Sequence, residues 1–166
     1  MAIPNDSGKE THPPTVEDLV TLCKSLNTAG VKYVVIGGFA VNYYGYPRAT
    51  VDIDLLVDSS DDNISKIRKA LAYLPAKASE KILTSDIEQY KVVRVSDDIV
   101  IDLMENACEV TYKKAGIEYF KFKNVTIPIA TLPTLIKTKQ HSIRPKDKED
   151  IKFLKTVERE GGTQES

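Results

Sequence analysis

Apolar residues recur at helical spacing from Val16 through Leu19, Val20, Leu22, Cys23 and Leu26, which predicts a first amphipathic helix. Thr15 supplies the N-cap, Glu17 and Asp18 sit in the first turn, and Gly30 provides the stop. The period then changes. Tyr33-Val34-Val35-Ile36 is a short run rich in β-branched residues, ended at once by Gly37-Gly38, and reads as a buried strand entering a tight turn. Phe39 to Tyr44 suits a short helix closed by Gly45, after which Tyr46-Pro47-Arg48 is extended because proline disfavours helix before it. A second strand is expected from Val51 to Val57. Asp61-Asp62 then opens a helical segment carrying Ile64, Ile67, Leu71 and Leu74 as far as Pro75. Gln89 to Val95 and Ile99 to Met104 are β-rich runs around a Ser96-Asp97-Asp98 turn, and Tyr119 to Phe122 and Val125 to Ile129 form a shorter pair around Lys123-Asn124. Two helical patterns close the chain: Leu132 to Gln140, with Pro133 at the first helical position, and Lys146 to Glu158, with Ile151, Phe153, Leu154 and Val157 on or near one face.

Helices early, strands in the middle and helices at the end predict an α+β (or α/β) fold, a mixed β-sheet flanked by helices without repeat or linker. The expected organisation is a flexible tail over residues 1–14, one domain over 15–160 and a frayed tail over 161–166. A chain of 166 residues buries about two-thirds of the surface its unfolded form exposes. Hydrophobic residues make up 42% and charged residues 28%, with no apolar run near the roughly 20 residues a membrane span needs. Membrane and disordered classes are thereby disfavoured, and the stretch MAIPNDSGKETHPP lacks the apolar core of a secretory signal. A soluble, cytoplasmic protein is expected. Cys23 and Cys108 are too few for a disulfide framework and lack metal-knuckle spacing, so they read as reduced structural thiols.

Total charge excludes one class and its distribution suggests another. With 23 basic against 24 acidic residues, the chain lacks the positive excess that coating a nucleic-acid backbone requires. Residues 1–106, however, carry 11 basic and 16 acidic side chains, whereas 107–166 carry 12 and 8. One half suits cations and the other anions.

Candidate chemistry concentrates at Gly37-Gly38 and, after thirteen intervening residues, Asp52-Ile53-Asp54. Two aspartates two positions apart on one strand point to the same face and repel. A divalent ion such as Mg²⁺ or Mn²⁺, which favours hard oxygen ligands, would resolve the conflict. The alternative is an edge strand whose aspartates face water while Val51, Ile53 and Leu55 face the core. A glycine pair between strand and helix lets backbone approach a ligand closely and aims N–H groups at an anion, or serves merely as a turn.

These residues, Val35-Ile36-Gly37-Gly38-Phe39-Ala40, Tyr44-Gly45-Tyr46-Pro47-Arg48-Ala49-Thr50 and Asp52-Ile53-Asp54-Leu55, resemble the nucleotidyltransferases of the DNA polymerase β superfamily. The likeness is to the minimal stand-alone type that includes antitoxin-like and antibiotic-modifying members. The resemblance implies a palm-like mixed sheet, an NTP over the glycine turn, and two Mg²⁺ (or Mn²⁺) ions held by Asp52, Asp54 and a third carboxylate on a later strand. Asp102, in Val100-Ile101-Asp102-Leu103, matches the third position, with Asp97 and Asp98 as rivals in the turn. The implied reaction moves a nucleoside monophosphate from an NTP to a hydroxyl of a small molecule, a protein or an RNA 3′ end, with pyrophosphate release.

Other positions are weaker. Arg48 would reach a phosphate, neutralise the acidic cluster, or be a loop cation, and Thr50 would orient an aspartate or start the strand. In the basic stretch from Lys137 to Lys155, Lys139, Arg144 and Lys146 are the candidate nucleotide contacts, against the common alternative of a solvated helix face. Tyr43, Tyr44 and Tyr46 would stack on a base or pack a helix. His12 and His141 lack ligand spacing. A chain this short leaves few residues for an acceptor pocket, which points to a homodimer or a partner chain. A second functional reading is an antitoxin-like or regulatory binding module that keeps the fold and acts through a protein or RNA partner.

Overall fold

The computed structural model describes residues 11–82, 86–87 and 92–164. Helix α1 (Val16–Ala29) begins in a capping box, with the Asp18 N–H donating to Thr15 Oγ1 at 3.2 Å and the Thr15 N–H donating to Asp18 Oδ2 at 2.8 Å, and ends on Gly30 at φ 74°. Strand β1 (Tyr33–Ile36) is buried at all four positions and runs directly into α2 (Gly37–Tyr43). Strand β2 (Ile53–Val57) follows an extended loop, and α3 (Asp61–Ala70) is capped by the Ser60 hydroxyl, which accepts from the Asn63 N–H. A hairpin, β3 (Val93–Ser96) and β4 (Val100–Met104), precedes a small one, β5 (Asn106–Ala107) and β6 (Val110–Thr111). Strands β7 (Ile117–Phe122) and β8 (Val125–Ala130) turn through Lys123 and Asn124, both at positive φ. Helices α4 (Leu132–Lys139) and α5 (Pro145–Gln164) close the fold.

Six strands form one mixed sheet in the order β3-β4-β2-β1-β8-β7. β2 runs antiparallel to β1 and parallel to β4, placing Asp54 between Ile36 and Asp102 in register. β1 and β2 occupy the centre, and their near-continuous burial requires cover on both faces. α1 packs on α3 and β8, while α4 packs on α2 and α5. The core runs through Leu22, Leu26, Val34, Ile53, Leu55, Ile64, Ile101 and Leu103. Among the described residues no helix is long and apolar enough to cross a membrane.

Several boundaries differ from the sequence reading. Val51 and Asp52 lie in a bend, so β2 starts at Ile53 and only Asp54 is a strand residue. The expected strand at 89–95 is described only from Val93, and residues 89–91 lie outside the described set. Pro133 is the second helical residue of α4, and α5 passes Glu158 and Gly161 to reach Gln164. Residues 11 and 12 of the expected tail are tied down: Thr11 Oγ1 donates to Asp97 O at 2.7 Å and the His12 N–H to Asp98 O at 3.0 Å. The β5–β6 turn was not anticipated, because Cys108 and Glu109 take positive φ without the Asn-Gly signal that advertises such turns. Burial pushes the Cys23 thiol up to about 11, in keeping with a structural role.

Candidate active site

Where β1 ends and β2 begins, three acidic side chains converge. Asp52 is carried by the bend before β2, Asp54 by β2 and Asp102 by β4, and one carboxylate oxygen of each lies within 4.8 Å of the others. Parallel register makes Asp54 and Asp102 direct neighbours, so the closeness is built into the sheet. Burial, then the charges of Asp52 and Asp102, push Asp54 up to about 7. Burial and the Asp102 charge also raise Asp52. Carboxylates that oppose one another's ionisation at this spacing form a donor set for a hard divalent cation.

Arg94 leans over this cluster from β3. It is the register partner of Asp102 and grips it with two hydrogen bonds, Nε to Oδ1 and Nη2 to Oδ2, both 2.9 Å. Its Nη2 also reaches Asp52 Oδ2 at 3.3 Å. Sequence reasoning missed this residue, although part of the signal was present. Arg94 is the lone charge in Val92-Val93-Arg94-Val95, but counting outward from a Ser96-Asp97-Asp98 turn sets it opposite Val100, whereas the observed register pairs Ser96 with Val100 and so sets Arg94 opposite Asp102.

The carboxylates and Arg94 line one wall of a cavity of about 540 Å³. Gly37 and Gly38 form its floor at the start of α2, where no side chain caps the helix, leaving the first N–H groups without a side-chain acceptor. Why glycine is needed there differs from the sequence reading. A Cβ on Gly37, at φ +68°, would lie 2.0 Å from Asp54 Oδ2, and one on Gly38 would lie 2.4 Å from Thr50 Cγ2. Both glycines therefore make room first for the protein's own side chains, Asp54 and Thr50.

The opposite wall comes from the α4–α5 junction, and there the charges are matched. Lys139 is buried and reaches Asp147 Oδ1 at 3.0 Å and Asp150 Oδ2 at 3.1 Å. Arg48 reaches the same Asp150 oxygen at 3.0 Å, and Arg144 holds Asp147 at 2.8 Å together with the Ser142 hydroxyl. Burial alone would raise Asp147, but hydrogen bonds from Ser142 and Lys139, the Lys139 charge and Arg144 outweigh it and hold the carboxyl down at about 2. Lys146 is exposed and lines the cavity with no ion pair among the described residues.

Every residue proposed from sequence, Gly37, Gly38, Arg48, Thr50, Asp52, Asp54, Asp102, Lys139, Arg144 and Lys146, lines this one cavity. Two of them are also bonded to Asp150 within the protein. Arg48 is bonded to Asp150 and not to the acidic cluster, and Lys139 is a buried network member where a solvated helix face was the alternative. Asp97 is excluded as a rival ligand by its own work: it is buried and accepts from the N–H groups of Ala76, Ala78 and Asp98. The tyrosines pack. Tyr43 meets Tyr44 and Phe120 at 4.9 and 5.0 Å between ring centroids, and Tyr46 stacks on Phe153 at 4.8 Å.

The family model described as "Nucleotidyl transferase AbiEii toxin, Type IV TA system" matches residues 21–159. Among solved structures, the chain is similar to an antigenic nucleotidyltransferase-like protein from Paracoccidioides brasiliensis (TM-score 0.55, 15% identity, covering 89% of this chain and 77% of that one). It is also similar to the lincosamide antibiotic adenylyltransferase LnuA, solved with lincomycin bound (TM-score 0.52, 16% identity, covering 89% and 99%). At such identities the likeness is one of fold. No curated protein sequence matches the chain at a significant level.

Proposed function

The chain belongs to the AbiEii family of nucleotidyltransferases, and from that premise we propose that it moves a nucleoside monophosphate from an NTP to a hydroxyl acceptor in a reaction dependent on Mg²⁺ or Mn²⁺. One observation carries the reading: three carboxylates lie within 4.8 Å of one another in a cavity also lined by Lys146, which has no ion-pair partner among the described residues. Asp52, Asp54 and Asp102 would hold the divalent ions, and the burial and mutual repulsion that raise Asp54 are the physical reason they fit them. When bound, such ions neutralise phosphate charge and lower the pKa of an attacking hydroxyl.

The chain's own residues do the rest. The uncapped N–H groups at Gly37 and Gly38 offer hydrogen bonds to a triphosphate, and Lys146 and Arg144 supply exposed positive charge beside it. Lys139, fixed by Asp147 and Asp150, presents its ammonium at a set position in the same cavity. In this reading Arg48 and Thr50 shape the glycine turn, since both stand against the Cβ position of Gly38. The toxin role named for the family, and the adenylyl transfer named for LnuA, enter as starting points for the test.

A thermal-shift panel of the four NTPs, each with and without Mg²⁺, identifies the donor, because binding to the native state raises stability by mass action. Transfer from the α-³²P-labelled donor to RNA, protein or small-molecule pools then identifies the acceptor. An absence of any Mg²⁺-dependent shift would sink the proposal.

A further inference from the structure

The β3–β4 register sets Arg94 directly opposite Asp102, within reach of its carboxylate. Arg94 engages both oxygens of Asp102 and one of Asp52, and among the described residues no cation stands within ion-pair distance of Asp54. Asp102 is only 5% exposed, whereas the Arg94 side chain is 58% exposed. The carboxylate is fixed and the guanidinium has solvent into which to swing. Three carboxylates and one guanidinium sum to −2, a charge that a single divalent ion balances. A second ion beside Arg94 would add two positive charges next to a third, at distances of a few ångströms where like charges repel strongly.

We propose that Arg94 is a latch that makes divalent-ion binding at this cluster stepwise. A first ion enters at the unlatched oxygens of Asp54 and Asp52, and a second ion gains Asp102 only when the guanidinium leaves it. Arg94 is thus a positioning residue that acts through Asp102. The inference rests on the reading of Asp52, Asp54 and Asp102 as a divalent-ion site.

Mn²⁺ titration of the full chain, followed by electron paramagnetic resonance, tests both. The wild type is expected to bind one Mn²⁺ tightly, with a second ion at least tenfold weaker. Arg94→Gln is expected to bind two with similar affinity and to show the spin coupling of ions about 4 Å apart. Arg94→Lys retains the charge while losing the two-pronged grip, and is expected to admit the second ion more readily than wild type but less than Arg94→Gln. It also carries the test if Arg94→Gln does not fold. Equal ion counts and affinities in wild type and variants would overturn the latch alone, as would two tight, spin-coupled ions in the wild type. Binding of no Mn²⁺ by wild type or variants would overturn the metal site itself and the latch with it.

Discussion

On the sheet wall of the cavity, three carboxylates crowd within 4.8 Å, and two of them, Asp52 and Asp102, share one largely exposed arginine. On the helix wall, Lys139, Arg48 and Arg144 are each bonded to Asp147 or Asp150. The first arrangement opposes folding and is relieved by an added cation. The second is closed upon itself and holds α5 against α4 and the loop after α2. Structure is thus kept where charges are matched, and binding capacity where they are not.

The comparison breaks most visibly at Asp54. Its carboxyl is raised to about 7, above the roughly 3.9 of an unfolded aspartate, so ionisation opposes folding, and the penalty grows as pH rises from about 4 to about 7. Asp54→Asn should therefore melt at a higher temperature than wild type at pH 8 in the presence of a chelator, with the difference vanishing near pH 4. Nucleotide transfer should fall by about a thousandfold or more, since ion-assisted charge stabilisation supplies several kcal/mol of barrier reduction. A variant that melts lower, or turns over normally, would contradict the assignment of the sheet wall.

The helix wall should answer in the opposite sense. Asp150 is fully buried between Arg48 and Lys139, and its Oδ1, like Arg48 Nε, has no partner among the described residues. Removing it strands Arg48 and leaves Lys139 with Asp147 alone, and Asp150→Ala should cost about 3–5 kcal/mol of stability in urea denaturation. Replacing both partners with apolar residues, Arg48→Met with Asp150→Leu, should cost less than the single change, because a buried pair is dearer to break than to remove. If Asp150→Ala is no less stable than wild type, the wall is not the closed network described.

How far the two walls were legible in sequence differs for physical reasons. Asp52 and Asp54 announced themselves by like charge at short spacing, whereas Asp102 was legible only through the family resemblance, since parallel pairing is what brings it alongside Asp54. The strand order that joins them comes from tertiary packing, which no local pattern encodes. Lys139 read as one lysine among many in a basic run, because its burial depends on Asp147 and Asp150 a turn or more into the next helix. The glycine pair was placed correctly but for an incomplete reason. Its need for space toward Asp54 and Thr50 is visible only once β2 lies beside α2.

Acid should loosen the helix wall at a pH well below that at which Asp54 takes up its proton. Asp147 is held at about 2, below its ordinary value near 3.8. Its contribution, about 2 kcal/mol from a shift of this size, is fully present above pH 4 and lost as pH falls through about 2. Urea midpoints between pH 5 and pH 2 should drop in the wild type and drop less in Asp147→Asn, which starts lower. Parallel slopes in the two proteins would show that Asp147 is not stabilised by its partners.

The smallest effect separates binding from architecture on the cationic side. Lys146 lines the cavity, is exposed, and makes no ion pair among the described residues, yet its charge acts on Asp52 across the gap. Nothing in the fold depends on it, so Lys146→Ala should change stability by no more than about 0.5 kcal/mol. If the triphosphate lies between the walls, the same variant should bind its NTP with Mg²⁺ roughly fivefold more weakly, an energy of about 1 kcal/mol. The deficit should shrink as salt is raised from about 0.05 to about 0.5 M, because a solvent-exposed charge is screened over a few ångströms at high ionic strength. Isothermal titration at the two salt levels measures both quantities. An affinity equal to wild type at low salt would place the triphosphate away from α5, leaving Lys139 as the cation of that wall to test next, in a background whose stability has first been restored.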